Sequence, residues 1–209
     1  AWSEVRSFNS ANPPSIPALS LPAADALTTD YSPTLKWTTV TVPSGTTFGH
    51  YWVQVDDDQL FDSPELDDQI SLTTAASTQI DVPTLLPNKK YYWRVMAINS
   101  LGETSAWSTV RTFRTAFTPP VLTSPANGSA VTTLKPALDW DDVTSATGYT
   151  VQISTSSTFA TTLVNATITP STYTSTVYLP SGNVVYWRVR ANGANGPSAW
   201  SEVKSFTTP

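Results

Sequence analysis

Ala106-Trp107-Ser108-Thr109-Val110-Arg111-Thr112-Phe113 returns 93 residues later as Ala199-Trp200-Ser201-Glu202-Val203-Lys204-Ser205-Phe206, and stands 105 residues earlier as Ala1-Trp2-Ser3-Glu4-Val5-Arg6-Ser7-Phe8. Working outward, further phrases recur in the same order. Leu35-Lys36-Trp37 answers Leu138-Asp139-Trp140, and Tyr51-Trp52-Val53-Gln54-Val55 answers Tyr149-Thr150-Val151-Gln152-Ile153. Phe61 answers Phe159, and Tyr92-Trp93-Arg94-Val95-Met96-Ala97 answers Tyr186-Trp187-Arg188-Val189-Arg190-Ala191. Matches that run from one end of each unit to the other mean a duplication. Units of about 90–105 residues are too long to be single layers of a solenoid, so each is a domain with its own core.

Period-2 alternation separated by Pro, Gly and Asn turns gives about seven strands per unit, the count of a β-sandwich. In the first unit they fall near 15–21, 34–42, 50–57, 68–73, 78–82, 90–98 and 106–114. In the second they fall near 120–126, 134–140, 147–154, 161–165, 171–177, 184–192 and 199–207. Trp37 to Tyr51 is longer than Trp140 to Tyr149, which places a five-residue insertion within Val42 to Gly49 and marks a loop. Long helices are not expected in so Ser-, Thr- and Val-rich a chain. The fold class is therefore all-β: two tandem seven-stranded sandwiches preceded by an orphan last strand. The expected boundaries are 1–10 for that strand, 11–117 for the first domain and 118–209 for the second.

The 209 residues are 40% apolar, with eight Trp, eight Tyr and seven Phe, enough to build two cores; only 13% are charged. A net charge of −5 with no run of Lys or Arg repels a phosphate backbone, so nucleic acid is a poor partner. There is no apolar stretch near 18 residues and no basic-then-apolar leader pattern, so neither a membrane-spanning segment nor targeting is read here. The absence of Cys removes disulfides, thiolate sites and cysteine nucleophiles without fixing a compartment.

These phrases resemble the fibronectin type III domain, in the form found in bacterial and archaeal surface proteins and secreted glycan-degrading enzymes. The resemblance implies that Trp37 and Trp140 are the buried second-strand Trp, and that Tyr51 and Tyr149 open the third strand. It also implies that Leu86-Pro87-Asn88 with Tyr91 form the turn and corner tyrosine before the sixth strand. The second unit departs here, since Val185 stands where that tyrosine should be, and its corner must close differently.

Nothing before Ala1–Phe8 supplies the other strands of a sandwich, while both complete units end in their own copies. An unpaired strand with a Trp is prone to associate, so it is expected to belong to a third domain or to be donated to a neighbouring subunit. The joints carry Pro13-Pro14 with Pro17, and Pro119-Pro120, and such segments favour an extended, stiff backbone. Domains held apart with limited swing are the expected geometry of a stalk.

Alternation turns Trp52, Gln54, Tyr92, Arg94 and Met96 outward, and Trp107 follows on the next strand. Trp52, Tyr92, Arg94 and Trp107 thus form the candidate ligand face, since aromatic faces stack on sugar rings. The structural alternative is a cation–π ladder of Arg94 with Trp107 and of Arg188 or Arg190 with Trp200, worth roughly 0.5–1 kcal/mol per pair. Its presence in both units favours structure, and only Trp52 lacks a counterpart. Asp56, Asp57, Asp58 and Asp62, with Glu65, Asp67 and Asp68 beyond, offer oxygen ligands for calcium, although the spacing is not that of an EF-hand loop. No other cofactor is implied. With His50 as the only histidine, there is neither a triad nor a zinc cluster, and a small sandwich offers no deep pocket. The chain reads as a non-enzyme. Asn127 and Asn165 head glycosylation sequons.

The functional expectation is a structural or adhesive repeat segment of an extracellular surface protein, stalk or filament. Its partners would be neighbouring copies, further domains or surface glycans. The alternative is a non-catalytic accessory or carbohydrate-binding module of a secreted polysaccharide-degrading enzyme.

Overall fold

The structure is a computed structural model in which residues 2–6, 11–70 and 78–209 are described. They divide into two compact units, one built mainly on residues 11–114 and the other mainly on 115–209. The leading strand falls partly outside the described residues, and its Trp2–Arg6 portion is not in a sheet. The tail of the expected 68–73 strand also lies outside them.

The first unit contains β1 (Leu19–Leu21), β2 (Ala26–Thr28), β3 (Thr34–Trp37), β4 (Phe48–Asp56), β5 (Leu66–Ile70), β6 (Gln79–Asp81), β7 (Lys90–Asn99) and β8 (Arg111–Thr115). A three-stranded sheet in the order β1-β3-β6 packs against a five-stranded sheet in the order β2-β8-β7-β4-β5. The second unit repeats this with β9 (Leu122–Ser124), β10 (Ser129–Ala130), β11 (Ala137–Trp140), β12 (Gly148–Ser154), β13 (Val164–Ile168), β14 (Thr172–Thr174), β15 (Val184–Asn192) and β16 (Lys204–Thr207). Its sheets run β14-β11-β9 and β10-β16-β15-β12-β13. Both units are all-β sandwiches.

Alternation sorts the side chains. Along β7, Tyr91, Trp93, Val95 and Ala97 are fully buried, and along β15 the same places hold Val185, Trp187, Val189 and Ala191. The second-strand Trp of each unit meets the tyrosine opening the third strand edge-on, Trp37 with Tyr51 at 5.2 Å and Trp140 with Tyr149 at 5.4 Å. Burying one such ring, about 200 Å² at about 25 cal/mol per Å², contributes on the order of 5 kcal/mol, so these aromatics dominate each core. Each unit has its own core cluster.

Several strands are shorter than expected, β3 ending at Trp37 rather than 42 and β11 beginning at Ala137 rather than 134, and three further differences have a clear physical cause. First, β2 and β10 are additional: each unit's first segment breaks after a few residues and resumes beside the last strand, β10 pairing parallel with β16. Second, β13 begins at Val164 rather than 161, because Thr161–Leu163 close the preceding loop, with Leu163 N–H donating to Ile153 O. Third, the last strands start at Arg111 and Lys204, not at 106 and 199. The intervening stretch stays beside its neighbour through serines. Ala97 N–H donates to Ser105 Oγ (3.0 Å) and Val95 N–H to Ser108 Oγ (3.1 Å). Ala191 N–H and Val189 N–H do the same with Ser198 and Ser201, at 3.0 Å each. Hydroxyls thus take bonds that carbonyls accept in a regular ladder.

The expected insertion is not wholly loop. β4 begins at Phe48, and the register slips between Phe48 and His50. A Cβ on Gly49 would lie 2.8 Å from Asn99 O and 2.9 Å from Ile98 O, so only glycine lets the strands approach there.

The corner of the second unit closes through a threonine. Thr208 Oγ donates to Pro180 O at 2.5 Å and accepts from Asn183 N–H at 3.0 Å. In the first unit Thr115 does the same with Leu86 O at 2.7 Å and Lys89 N–H at 3.0 Å. A buried hydroxyl-to-backbone bond is therefore present in both units, and the second keeps one although Val185 replaces Tyr91.

Candidate functional site

β4 and β7 are antiparallel neighbours, with Gln54 opposite Arg94 and Trp52 opposite Met96. The loop after β4 carries Phe61 back to the sheet. Arg94 is held on three sides: its guanidinium lies 4.0 Å from the Phe61 ring and 4.3 Å from the Trp107 ring. Its Nε and Nη2 donate to Gln54 Oε1 at 2.9 and 2.7 Å. Burial lowers the pKa of Arg94, with Asp67 acting in the opposite direction. The second unit repeats this assembly: Arg188 lies 4.1 Å from Phe159 and 4.4 Å from Trp200, and donates to Gln152 Oε1 at 2.9 and 2.7 Å. Burial and the neighbouring Arg190 charge lower the pKa of Arg188.

Phe61 and Phe159 both adopt left-handed backbone, φ 59° and 55°. For a bulky residue this costs roughly 1–2 kcal/mol, and the loop keeps the conformation because it presents the ring beneath the guanidinium.

Of the expected ligand face, Trp52, Arg94 and Trp107 are brought together, Trp52 lying 5.5 Å from Trp107. The indole N–H of Trp52 donates to the Asp67 carboxylate, which also accepts from Gln54 Nε2 at 3.1 Å. Tyr92 stands apart from that cluster and lies 5.4 Å from Lys90 Nζ instead. Phe61, Gln54 and Asp67 belong to the cluster although the sequence reading did not assign them to it. The recurrence of Phe61 as Phe159 and of Gln54 as Gln152 was the signal available.

Among the expected calcium residues, Asp56 and Asp57 come together with Glu65, their ligand atoms within 4.8 Å of one another. Asp58 and Asp62 are not in that group. The buried Asp56 carboxylate accepts from Asp58 N–H at 2.9 Å and from Ser63 N–H at 3.2 Å, while Asp58 accepts from Leu60 N–H at 2.8 Å. The second unit builds the same loop with Ser154, whose Oγ accepts from Ser156 N–H (2.9 Å) and donates to Thr161 O (2.6 Å). Asp56 thus ties the loop by hydrogen bonds. Glu65 accepts from Asp57 N–H at 3.2 Å, and burial raises its pKa.

Asn127 is exposed in a turn, its Oδ1 accepting from Ser205 N–H at 2.9 Å, and Asn165 is exposed on β13. Among the described residues no helix is long and apolar enough to cross a membrane.

Residues 23–119 match the family model described as Rha78A-like, N-terminal immunoglobulin domain. That match covers most of the first unit, and the second unit repeats the same pair of three- and five-stranded sheets. Among matching solved structures is the crystal structure of chicken CNTN1 FN1–FN3 domains, at 20% identity and a TM-score of 0.39, covering 94% of this chain and 67% of that one. A search of curated proteins gave no match. Domains of this immunoglobulin/fibronectin III kind are generally non-catalytic, and function on such a fold is carried by individual sites.

Proposed function

We propose that this tandem is a structural segment of an extracellular surface protein, stalk or filament, serving as a semi-rigid spacer and interaction surface. The observation that carries it is the repetition, residue for residue, of the guanidinium cradle on the five-stranded sheet of both units. A ligand site has no reason to be copied with its aromatic rings already engaged, whereas a repeated structural element has. The linkers fit the same role: Pro14 and Pro17 are buried, and Asn12 N–H donates to Glu103 Oε1 at 3.0 Å while its carbonyl accepts from Asn99 Nδ2 at 3.2 Å. The segment before β1 is thereby fastened to the β7–β8 loop. Small-angle scattering tests the spacer reading: an elongated particle supports it, and a compact pair contradicts it.

The second reading is an accessory module of a polysaccharide-degrading enzyme, and the match of residues 23–119 to a family from glycosidase-associated proteins favours it. In that case Trp52, unique to the first unit, is the sugar platform. Affinity-gel retardation on soluble polysaccharides that is lost in Trp52→Ala would establish this reading over the first.

A further inference from the structure

The two units agree on the cradle and differ beside it. Where the first has Trp52, Met96 and Asp67, the second has Thr150, Arg190 and Asn165. Thr150 stands opposite Arg190 on one side and Thr167 on the other, so a row Thr167–Thr150–Arg190 crosses three strands of the five-stranded sheet. Its ends lie two strand spacings apart, about 10 Å. In the first unit the same row is Gln69–Trp52–Met96 and carries no charge. Charge is distributed as unevenly. Asp67 favours the charged form of Arg94, and the loop after β4 adds Asp57, Asp58, Asp62 and Glu65. The matching stretch 155–165 of the second unit has no ionisable side chain. Arg188 has its Gln152 partner, and the charge of Arg190 beside it helps to lower its pKa. Arg190 is half-buried, with Trp200 at 4.8 Å from its guanidinium. Its Nε is buried without an acceptor, and among the described residues the group has neither a hydrogen bond nor an ion pair. A partly desolvated guanidinium with idle donors is costly, and an anion relieves that cost.

We propose that Arg190, with Thr167 across the sheet, forms a binding site for the carboxylate of an acidic sugar chain. A planar guanidinium fork takes a carboxylate through two parallel hydrogen bonds, and one uncommitted guanidinium matches a single negative charge. Arg94 and Arg188, already committed to glutamines, are not part of the site. The exposed side chains nearest the row, Asn165 and Thr167, offer an amide and a hydroxyl, which suit the hydroxyls of a sugar. The row itself contains no apolar side chain for a protein partner to pack against. The inference is independent of both readings above, because it rests on what the second unit changed, whereas they rest on what the units share and on Trp52.

The test is calorimetric titration of the whole chain with alginate oligomers, whose only charges are carboxylates, beside neutral dextran oligomers and polyglutamate. Saturable binding of alginate alone is the expected result. Arg190→Met installs the residue that the first unit uses at this place. It should weaken alginate binding about tenfold or more while leaving the melting transition unchanged. Asn165→Asp restores the first unit's carboxylate on the same face as an intact Arg190, and should weaken binding as well. Absence of alginate binding, equal binding of dextran or of polyglutamate, or wild-type affinity in Arg190→Met overturns the proposal. If Arg190→Met does not fold, wild-type affinity in Asn165→Asp overturns it instead.

Discussion

Trp52 lies 5.5 Å from Trp107 and directly across the strand pair from Met96, and the corresponding cross-strand pair in the second unit is Thr150 with Arg190. Arg190 in turn stands 4.8 Å from Trp200. One position of each pair is thus assigned to the indole of the last segment, from β4 in the first unit and from β15 in the second. Exchange of both partners together keeps the indole covered. This accounts for the one aromatic of the candidate ligand face that has no counterpart, without invoking a ligand.

The cradle should be costly to open. Arg94→Ala removes two stacking contacts and leaves the buried Gln54 oxygen without its donors, so the first unit should lose about 2–4 kcal/mol by denaturant unfolding. Arg94→Lys keeps the charge but not the planar fork, and should lose about half as much. Arg188→Ala should act equally on the second unit.

Left-handed backbone at Phe61 separates ring from strain. Phe61→Ala loses the ring and keeps the strain, whereas Phe61→Gly loses the ring and relieves it. The glycine variant should be the more stable of the two by about 1 kcal/mol, measured as a difference in unfolding free energy; the reverse order would show that φ at this site costs nothing.

Serine hydroxyls that stand in for ladder carbonyls should be sensitive to deletion. Ser108→Ala leaves the Val95 N–H buried and unpaired, at a cost of about 1–3 kcal/mol, and Ser201→Ala should do the same through Val189. Accelerated amide exchange at Val95 or Val189 is the direct check.

The loop after β4 should tolerate Asp56→Ser, because Ser154 already does that work in the second unit, whereas Asp56→Ala should cost about 1–2 kcal/mol. Melting with calcium and with chelator should coincide if hydrogen bonds alone hold the loop; a rise with calcium would establish a metal site at Asp56, Asp57 and Glu65. The raised pKa of Glu65 means that its protonated form is favoured by folding. Its contribution to stability should therefore improve as pH falls through its folded-state titration, and Glu65→Gln should abolish that part of the pH dependence.

Much of this was legible in the chain because recurrence and period-2 alternation report burial: on β7 Trp93 and Val95 are fully buried and alternate with half-buried Tyr92 and Arg94, although Met96, expected outward, is also buried opposite Trp52. Other features were hidden because their physics is not periodic. The last strands start late because Ser105, Ser108, Ser198 and Ser201 bond through side chains, which no alternation of apolar residues records. β2 and β10 are too short to show a pattern. Phe61 and Phe159 were visible as a recurring pair, but their service beneath Arg94 and Arg188 depends on a left-handed turn in a loop of unlike sequence. The corner threonines, Thr115 and Thr208, follow the recurring Phe113 and Phe206 by two residues in both units, and this recurrence is independent of the corner tyrosine that only the first unit has.

That the outer-face cradle is structure rather than a binding surface is tested most directly by guanidinium NMR. Locked between two rings and bonded to a glutamine, the Nε–H groups of Arg94 and Arg188 should give separate, ring-current-shifted and slowly exchanging signals, unchanged by added oligosaccharide. Averaged, fast-exchanging signals for both, or a selective shift of Arg94 on titration with a sugar, would contradict the account.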